Sequence, residues 1–240
     1  MEAIDVKKTG VSSGRAQRKA KVAGSVSNAG RLKPADEVRL VQELVSSGCI
    51  SDPAGPRGRL ISAAARLFQD KGFALTTVRD IAAEVGILSG SIFHHVKNKE
   101  ELLCAIMLEV TRLARARMAA AVDQQVHPRD RLLACIICEL EAIHGLAVPG
   151  FPLLVTEWRC LSSENQVRVL AEREQYEALW VEVLQQRPPG GGVADAQLAR
   201  RLLLGALSHT HSWFKPRGRG LTMNTLAEQA LLTVWPNFHH

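Results

Sequence analysis

The chain has 240 residues, of which 46% are hydrophobic and 22% charged, and its formal net charge is +6. This composition supplies enough apolar side chains for a folded core and excludes a wholly disordered protein. No segment reaches the roughly 18 consecutive apolar residues that a membrane-spanning helix needs. The first five residues include two acids and no apolar run, which excludes a secretory signal. We therefore expect a cytoplasmic protein without a membrane partner.

The charge is concentrated at the N-terminus. Residues 1–35 contain eight lysines and arginines against two acids, so this segment accounts for the whole net charge. It has almost no large apolar side chain to offset the entropy of ordering its backbone. The segment is either a solubilising leader or an arm that follows DNA phosphates electrostatically, and its composition also fits, more weakly, a transit peptide.

A short helix and a break follow. Regularly spaced apolar residues predict one helix over residues 35–47, ended by Gly48; they are Val38, Val41, Leu44 and Val45. The stretch at residues 52–56, rich in proline and glycine, then marks a boundary near residue 56. Residues 1–56 are thus predicted to be a basic, largely disordered extension with one possible short helix.

The next segment predicts two helices joined by a tight turn. An apolar stripe predicts a first helix that ends at residues 71–72; it comprises Leu60, Ile61, Ala64, Leu67 and Phe68. Residues 77–80 have the form of a capping box, so a second helix begins there. Ala82 is small enough for a close helix crossing, and Gly86 can adopt the positive φ that the turn needs. Together with the apolar Ile87 and Ile92, these offsets indicate a helix-turn-helix.

The second helix of this motif, Ser89 to His95, is the candidate DNA-reading element. The residues off its apolar side are small or polar, namely Ser89, Gly90, Ser91, His94 and His95. Short side chains let a helix backbone approach base edges, and hydroxyl and imidazole groups can bond to bases or phosphates. Asn98 and Glu101 then form a variant capping box that opens a long helix, and Lys99 beside it is well placed for a phosphate.

Residues 57–117 resemble the DNA-binding domain of TetR-family transcriptional regulators. The resemblance rests on the runs 76–86, 91–95 and 97–103. It implies an all-α homodimer with an N-terminal three-helix DNA-binding domain over residues 57–117 and a C-terminal helical ligand-binding and dimerisation domain over residues 118–240.

The resemblance also implies the DNA-binding residues. Thr77 and Lys99 are expected to hold phosphates, and Arg79, Ser89, Gly90 and His94 to lie at or near bases; Thr76, Ser91 and Phe93 complete the expected set. Two departures leave the operator sequence open. Leu88 stands where the family usually has a serine that caps the recognition helix, so we expect capping to pass to Ser89. Phe93 replaces a tyrosine whose hydroxyl commonly reaches a phosphate.

Long amphipathic helices are expected in the C-terminal half. Residues 129–146 carry one apolar face, and residues 163–166 form a further capping box. Asp195 can cap another helix, on which Leu198, Leu202, Leu203 and Leu207 share one side. We expect residues 163–187 and 195–213 to pair in antiparallel fashion and to meet a second copy as a four-helix bundle. Residues 213–221 weakly resemble a TetR subgroup associated with CoA-thioester or lipid-degradation signals.

Candidate effector contacts are less specific. His144, Trp158, Tyr176, Trp180, His209 and Trp213 could line a cavity, although each residue type is more often plain core. Cys135 and Cys138 have zinc-like spacing but lie mid-helix without a second pair, so we expect buried thiols and no metal or cofactor. No nucleophile elbow or dinucleotide fingerprint is present, and an enzyme is not expected.

These observations favour a ligand-responsive, dimeric DNA-binding transcriptional regulator. A repressor is expected, held on a near-palindromic double-stranded operator and released by a small effector, for which an acyl-CoA or lipid-derived molecule is one candidate. Two alternatives stay open: a nonspecific architectural DNA binder that uses the basic tail, and a helical interaction protein without specific DNA binding.

Overall fold

The computed structural model describes residues 31–186, 195–216 and 220–235. These residues form helices and contain no strand, which confirms the all-α fold class. The α-helices are α1 (Pro34–Ser46), α2 (Pro56–Lys71), α3 (Val78–Val85), α4 (Lys99–Asp123), α5 (Pro128–Ile143), α6 (Leu153–Thr156), α7 (Ser163–Gln185), α8 (Ala196–His209) and α9 (Met223–Val234), and 3-10 helices span Ser89–His94, Trp158–Cys160 and Thr210–Ser212. Within the described ranges, no helix combines the length and apolarity needed to cross a bilayer.

Helices α2 and α3 and the 3-10 helix Ser89–His94 form a small head. The capping box at the start of α3 is present: the Asp80 amide donates to Thr77 Oγ1 over 3.1 Å, and the Thr77 amide donates to Asp80 Oδ2 over 2.8 Å. Gly86 ends α3 with a φ of 78°, as the turn requires. Arg57 of α2 donates to the His95 carbonyl over 2.6 Å, which ties the far end of the recognition helix to the first helix of the head.

The recognition helix differs from the expectation in two respects. It is a 3-10 helix over Ser89–His94, which is tighter than an α-helix. Its N-cap residue is Leu88, and no side chain bonds to the amides of its first turn. The prediction that Ser89 takes over capping is therefore wrong, because Ser89 already lies inside the helix.

Helix α4 joins the head to the C-terminal part of the molecule. We call this part the body (residues 99–235 as described). It has 25 residues, or about 37 Å at 1.5 Å per residue. Its N-cap Asn98 accepts from the Glu101 amide over 2.7 Å, whereas the Glu101 carboxylate pairs with Arg168, so only half of the expected capping box forms. The proposed domain boundary at residues 117–118 falls inside this continuous helix.

The body packs α5 and α7 against α4, and the side chains between them, such as Met118, Leu132 and Trp180, are fully buried. Ser162 rather than Ser163 caps α7, one residue before the expected start. Asp195 caps α8 as expected, by accepting from the amides of residues 197 and 198.

The apolar side expected on α8 divides into two faces. Leu203 and Leu207 point into the core, whereas Leu198 and Leu202 are 48% and 57% exposed. Val167 and Leu170 of α7 are exposed as well, at 66% and 44%. The division arises because α7 and α8 contact the core with one face each, which leaves an outward apolar surface on each helix.

The structure describes the N-terminal extension from residue 31, and the disorder expected of the basic tail falls mostly on residues 1–30, which lie outside the described residues. Leu32 is buried, and the short helix predicted there is α1. Four polar contacts fasten this segment to α4 and α5: Ser51 to Glu109, Arg112 to the Cys49 carbonyl, Arg117 to Glu37, and Arg31 to Glu141. These partners are 58 to 110 residues apart in sequence, beyond what local periodicity can predict.

Candidate nucleic-acid interface and effector cavity

The 3-10 helix presents small and polar groups to the outside of the head. Gly90, Phe93 and His94 are exposed, and Ser89 and Ser91 are half-buried. Ile92 is 1% exposed and anchors the helix to the core of the head. Because the anchor points inward, the opposite side of this short helix can enter a DNA groove.

The start of α3 borders the same surface. Arg79 and Thr77 are exposed there. The Thr77 hydroxyl donates to Asp80 Oδ2 over 2.8 Å, and this bond together with the one from the Thr77 amide lowers the pKa of the Asp80 carboxyl. Asp80 therefore stays ionised in its capping role at neutral pH. The start of α3, which carries Arg79, is held by this cap.

Thr76 does not belong to the DNA-binding set. Its side chain is 0% exposed. Its hydroxyl bonds to the Gly72 carbonyl over 2.8 Å, with the Leu67 carbonyl at 3.1 Å. The expectation that Thr76 contacts DNA is wrong, because the hydroxyl is enclosed and fastens the loop before α3 to the end of α2.

Lys99 lies at the junction of head and body. Its Nζ donates to the carbonyls of Phe73 and Thr76 over 2.7 and 2.9 Å and lies 4.2 Å from the centroid of the Phe73 ring. Two charge-assisted hydrogen bonds and a cation–π contact make Lys99 a clamp on the loop that carries Thr77. An ammonium group has three donors, so one donor remains for a phosphate.

A cavity in the body is the candidate effector site. Its walls come from helices α4 to α8, so it touches both the helix that leads to the head and the two helices with outward apolar faces. Its cavity volume is about 60 Å³, and the cleft around it opens to solvent. The lining residues are Thr111, Glu139, Ile143, Phe151, Leu154, Val155, Arg173, Tyr176, Glu177, Leu204 and Ser208.

A buried acid lies in the wall of this cavity. Glu139 is 5% exposed and accepts a hydrogen bond from the Tyr176 hydroxyl. Burial raises the pKa of the Glu139 carboxyl to about 7, and the bond from Tyr176 only partly opposes this effect. Burial and the neighbouring acid raise the pKa of Tyr176 well above its usual value. The wall thus offers a polar pair whose charge is suppressed near neutral pH.

A second, more apolar cavity lies between the head and the N-terminal segment. It is bordered by α2, by α4 and by Ile50, Ser51 and Pro53, and Pro149 closes one side. Its main polar group, Glu109, is bonded to Ser51 through both the amide and the hydroxyl. The body cavity is the better effector candidate because it also contacts α7 and α8.

Two family models match the chain. Residues 60–106 match the model of bacterial regulatory proteins of the tetR family, and residues 125–234 match the tetracyclin repressor-like C-terminal domain. The transcriptional repressor KstR2 of Mycolicibacterium smegmatis is 30% identical over 191 residues, which cover 77% of this chain and 91% of that protein. The chain belongs to the TetR family. It is therefore a helix-turn-helix DNA-binding transcription regulator.

Solved structures agree with this TetR-family fold. The crystal structure of superantigen pfit has 45% sequence identity and a TM-score of 0.72, and covers 84% of this chain and 100% of that one. AibR in complex with isovaleryl coenzyme A and operator DNA has 27% identity and a TM-score of 0.67, over 76% of this chain and 99% of that one.

The six residues expected to contact an effector in this TetR-family body occupy different places. Tyr176 lines the cavity. Trp180 is a fully buried core residue, and His144 packs α5 against the turn at Thr210, with Nε2 to Oγ1 at 3.1 Å. Trp158, His209 and Trp213 are not among the lining residues. Of the six, only Tyr176 therefore lines this cavity, and contact of the other five residues with an effector stays a prediction.

Glu139 was missed by sequence reasoning, although a signal was available. It lies three residues after Ile136 and four before Ile143, on the apolar face of α5. A carboxylate within an apolar helical face is uncommon unless it is paired. Phe151 and Arg173 carried no comparable signal, since a loop and a mixed helix face bring them to the cavity.

Proposed function

We propose that this chain is a dimeric, effector-controlled repressor. The single observation that carries the proposal is the continuous helix α4, which begins under the clamped reading head at Lys99 and contributes Thr111 to the wall of the effector cavity. A molecule that fills the cavity can therefore favour one position of α4, and with it one position of the head. Only a difference in effector affinity between the DNA-binding and released shapes shifts the balance.

Direct contacts to DNA are proposed for the head. The residues proposed to contact DNA face outward on the start of α3 and the 3-10 helix, or lie at the rim of that surface. They are Arg79, Ser89, Gly90, Ser91, Phe93 and His94. Thr77 and Lys99 are assigned to phosphates, and Lys99 also keeps its clamp on the loop. Phosphate contacts set the register of the head on the duplex, whereas contacts to base edges set the sequence.

A second copy is proposed to cover the outward apolar faces of α7 and α8. Val167, Leu170, Leu198 and Leu202 lie there and are large exposed apolar residues. Twofold pairing of this surface gives a four-helix contact in which each patch meets its own copy. Two heads related in this way meet successive major grooves about 34 to 36 Å apart, so the operator is expected to be a near-palindrome.

The paired surface can be tested by changing charge. Leu202→Glu should convert the dimer to a monomer in sedimentation equilibrium, because it buries an unpaired carboxylate in the contact. Val126→Glu is the matched control, since Val126 is 87% exposed on the loop between α4 and α5. A Leu202→Glu protein that remains dimeric would contradict this assembly.

The effector is proposed to be a small acyl-CoA or lipid-derived molecule. Support comes from AibR, which was solved with isovaleryl coenzyme A, and from the apolar walls of the cavity. Apolar side chains such as Phe151 and Leu154 suit an acyl chain, whereas Glu139, Tyr176 and Arg173 supply polar contacts.

The decisive experiment is a mobility-shift assay with the DNA upstream of the chain's own gene. We expect a shifted band that excess nonspecific DNA does not remove and that disappears with Ser89→Glu combined with His94→Glu, since two added carboxylates repel the phosphates. Gln124→Glu with Val126→Glu serves as the control for folding and general charge, since it adds the same two charges at exposed positions between α4 and α5. No shift at low salt, or a shift indifferent to the first pair, would exclude sequence-specific binding.

The basic tail provides the alternative of nonspecific DNA binding. Because Leu32 is buried and Arg31 pairs with Glu141, the truncation that isolates the tail should remove residues 1–30 and leave residue 31 onward. Specific binding is expected to survive this truncation, whereas tail-driven binding should vanish together with its salt dependence. A chain that folds, dimerises and binds no DNA at all would favour the helical interaction protein.

A further inference from the structure

Leu88 is the residue of the head that its own fold explains least. It is 81% exposed and stands at the N-cap of the recognition helix, where no side chain bonds to the first-turn amides. Leucine is a poor N-cap, because it offers no oxygen to those amides, and its exposed side chain stabilises no core. A residue that fulfils neither local role is expected at a position used for binding.

The surroundings of Leu88 indicate which surface covers it. The adjoining recognition helix exposes Gly90 and His94, and the cations Arg79 and Lys97 are exposed on either side of it in sequence. A surface with cations around short side chains is complementary to a phosphate-lined groove and ill-suited to an apolar protein partner. DNA is therefore the occupant that matches the charge.

The recognition helix also lacks the groups that read bases by paired hydrogen bonds. Ser89 to His94 include no arginine, lysine, asparagine or glutamine, the side chains that bond twice to guanine or adenine. An apolar side chain in a major groove has one specific partner, the C5-methyl group of thymine. Leu88 is large and exposed enough to reach such a group.

We infer that Leu88 is a specificity-determining residue that contacts a thymine methyl group in each half of the operator. The inference rests on the proposed function, because it requires the head to enter the major groove. Removing the methyl group takes away about one buried apolar carbon, so the affinity should fall about fourfold per half-site and about fifteenfold for both.

The test uses the full chain and deoxyuridine, which pairs with adenine as thymine does and lacks only the methyl group. Duplexes bound by the protein are first selected from a random-sequence library. Each thymine of the selected half-site is then replaced singly, and binding is measured by fluorescence anisotropy. We expect one thymine whose replacement weakens the native chain about fourfold and leaves Leu88→Ala unaffected.

Leu75→Ala is the matched control. Leu75 is 77% exposed on the same head but precedes α3, outside the recognition helix. This variant should keep the methyl effect at the same thymine, and both variants should unfold in urea at the midpoint of the native chain, because neither side chain is buried.

The outcomes separate the two levels of inference. A selected sequence in which no thymine shows a methyl effect, or in which Leu88→Ala keeps the effect, overturns the role of Leu88 and leaves sequence-specific regulation standing. Selection that enriches no sequence overturns both the proposed function and this inference.

Discussion

In the head, residues 56–98, the side chains that cap the helices bond within a few residues, although Arg57 also reaches the His95 carbonyl, whereas the body and the N-terminal segment join polar groups across long stretches of sequence. Thr77 and Asp80 are three residues apart, but Tyr176 and Glu139 are 37 apart and Arg117 and Glu37 are 80 apart. Thr76 is the buried polar residue of the head, whereas the body buries several polar side chains, among them Arg117, Glu139 and Arg200. The head and the body are therefore held together by different kinds of contact.

Lys99 is the exception that connects the two regions. It belongs to the first turn of α4 but bonds to carbonyls of the head, so the reading surface is fixed partly from outside its own sequence.

The largest effect is expected at the buried acid of the body. The folded state raises the pKa of Glu139 from 4.5 to about 7 and so holds its proton more tightly than the unfolded chain. This stabilisation is complete below pH 4.5 and is lost as the pH rises through about 7. The loss amounts to roughly 3 kcal/mol of unfolding free energy. Glu139→Gln keeps an acceptor for Tyr176 and should lack this pH dependence.

Urea unfolding at pH 5 and pH 8, at a fixed protein concentration, measures the effect. Asp123→Asn is the control for the loss of one carboxylate, since 79% of that side chain is exposed. Equal pH dependence in the native chain and in Glu139→Gln would show that the acid is not buried in solution.

A smaller effect is expected at the clamp between the regions. Lys99→Met removes two charge-assisted hydrogen bonds from a half-buried site and should lower the unfolding free energy by about 2 kcal/mol. DNA affinity should fall as well, because the loop that carries Thr77 is released. Lys97→Met, on an exposed lysine of the same segment, should retain stability and lose only salt-dependent affinity. Identical stability of the two variants in urea would show that the bonds of Lys99 to the loop do not stabilise the fold.

The smallest effect concerns the N-terminal segment that covers α4. Arg117 has 11% of its side chain exposed and pairs with Glu37, so Arg117→Met should destabilise the fold by about 1 to 2 kcal/mol. Arg39→Met breaks ion pairs on the exposed side of α1 and should change stability by less than about 0.5 kcal/mol. Calorimetric melting compares the two variants. If they melt at the same temperature, the segment is not held by this pair.

The parts of the fold that depend on neighbours along the chain could be predicted from the sequence. The Thr77–Asp80 capping box, the positive φ of Gly86 and the caps at Asn98 and Asp195 are all present. These features follow from residue type and spacing alone, because each bond closes within about four residues. The same local signals carried the resemblance that located the reading head.

Which side chains are available at the surface and in the cavity depends on how the helices pack, and it could not be predicted from the sequence. Thr76 and Thr77 are adjacent and chemically identical, yet one is enclosed and the other exposed. Lys99, Glu139 and the segment that begins at residue 31 acquire their roles from partners at least 23 residues away. The physical reason is that burial and long-range hydrogen bonds depend on how helices pack, and residue spacing within one helix does not encode that packing.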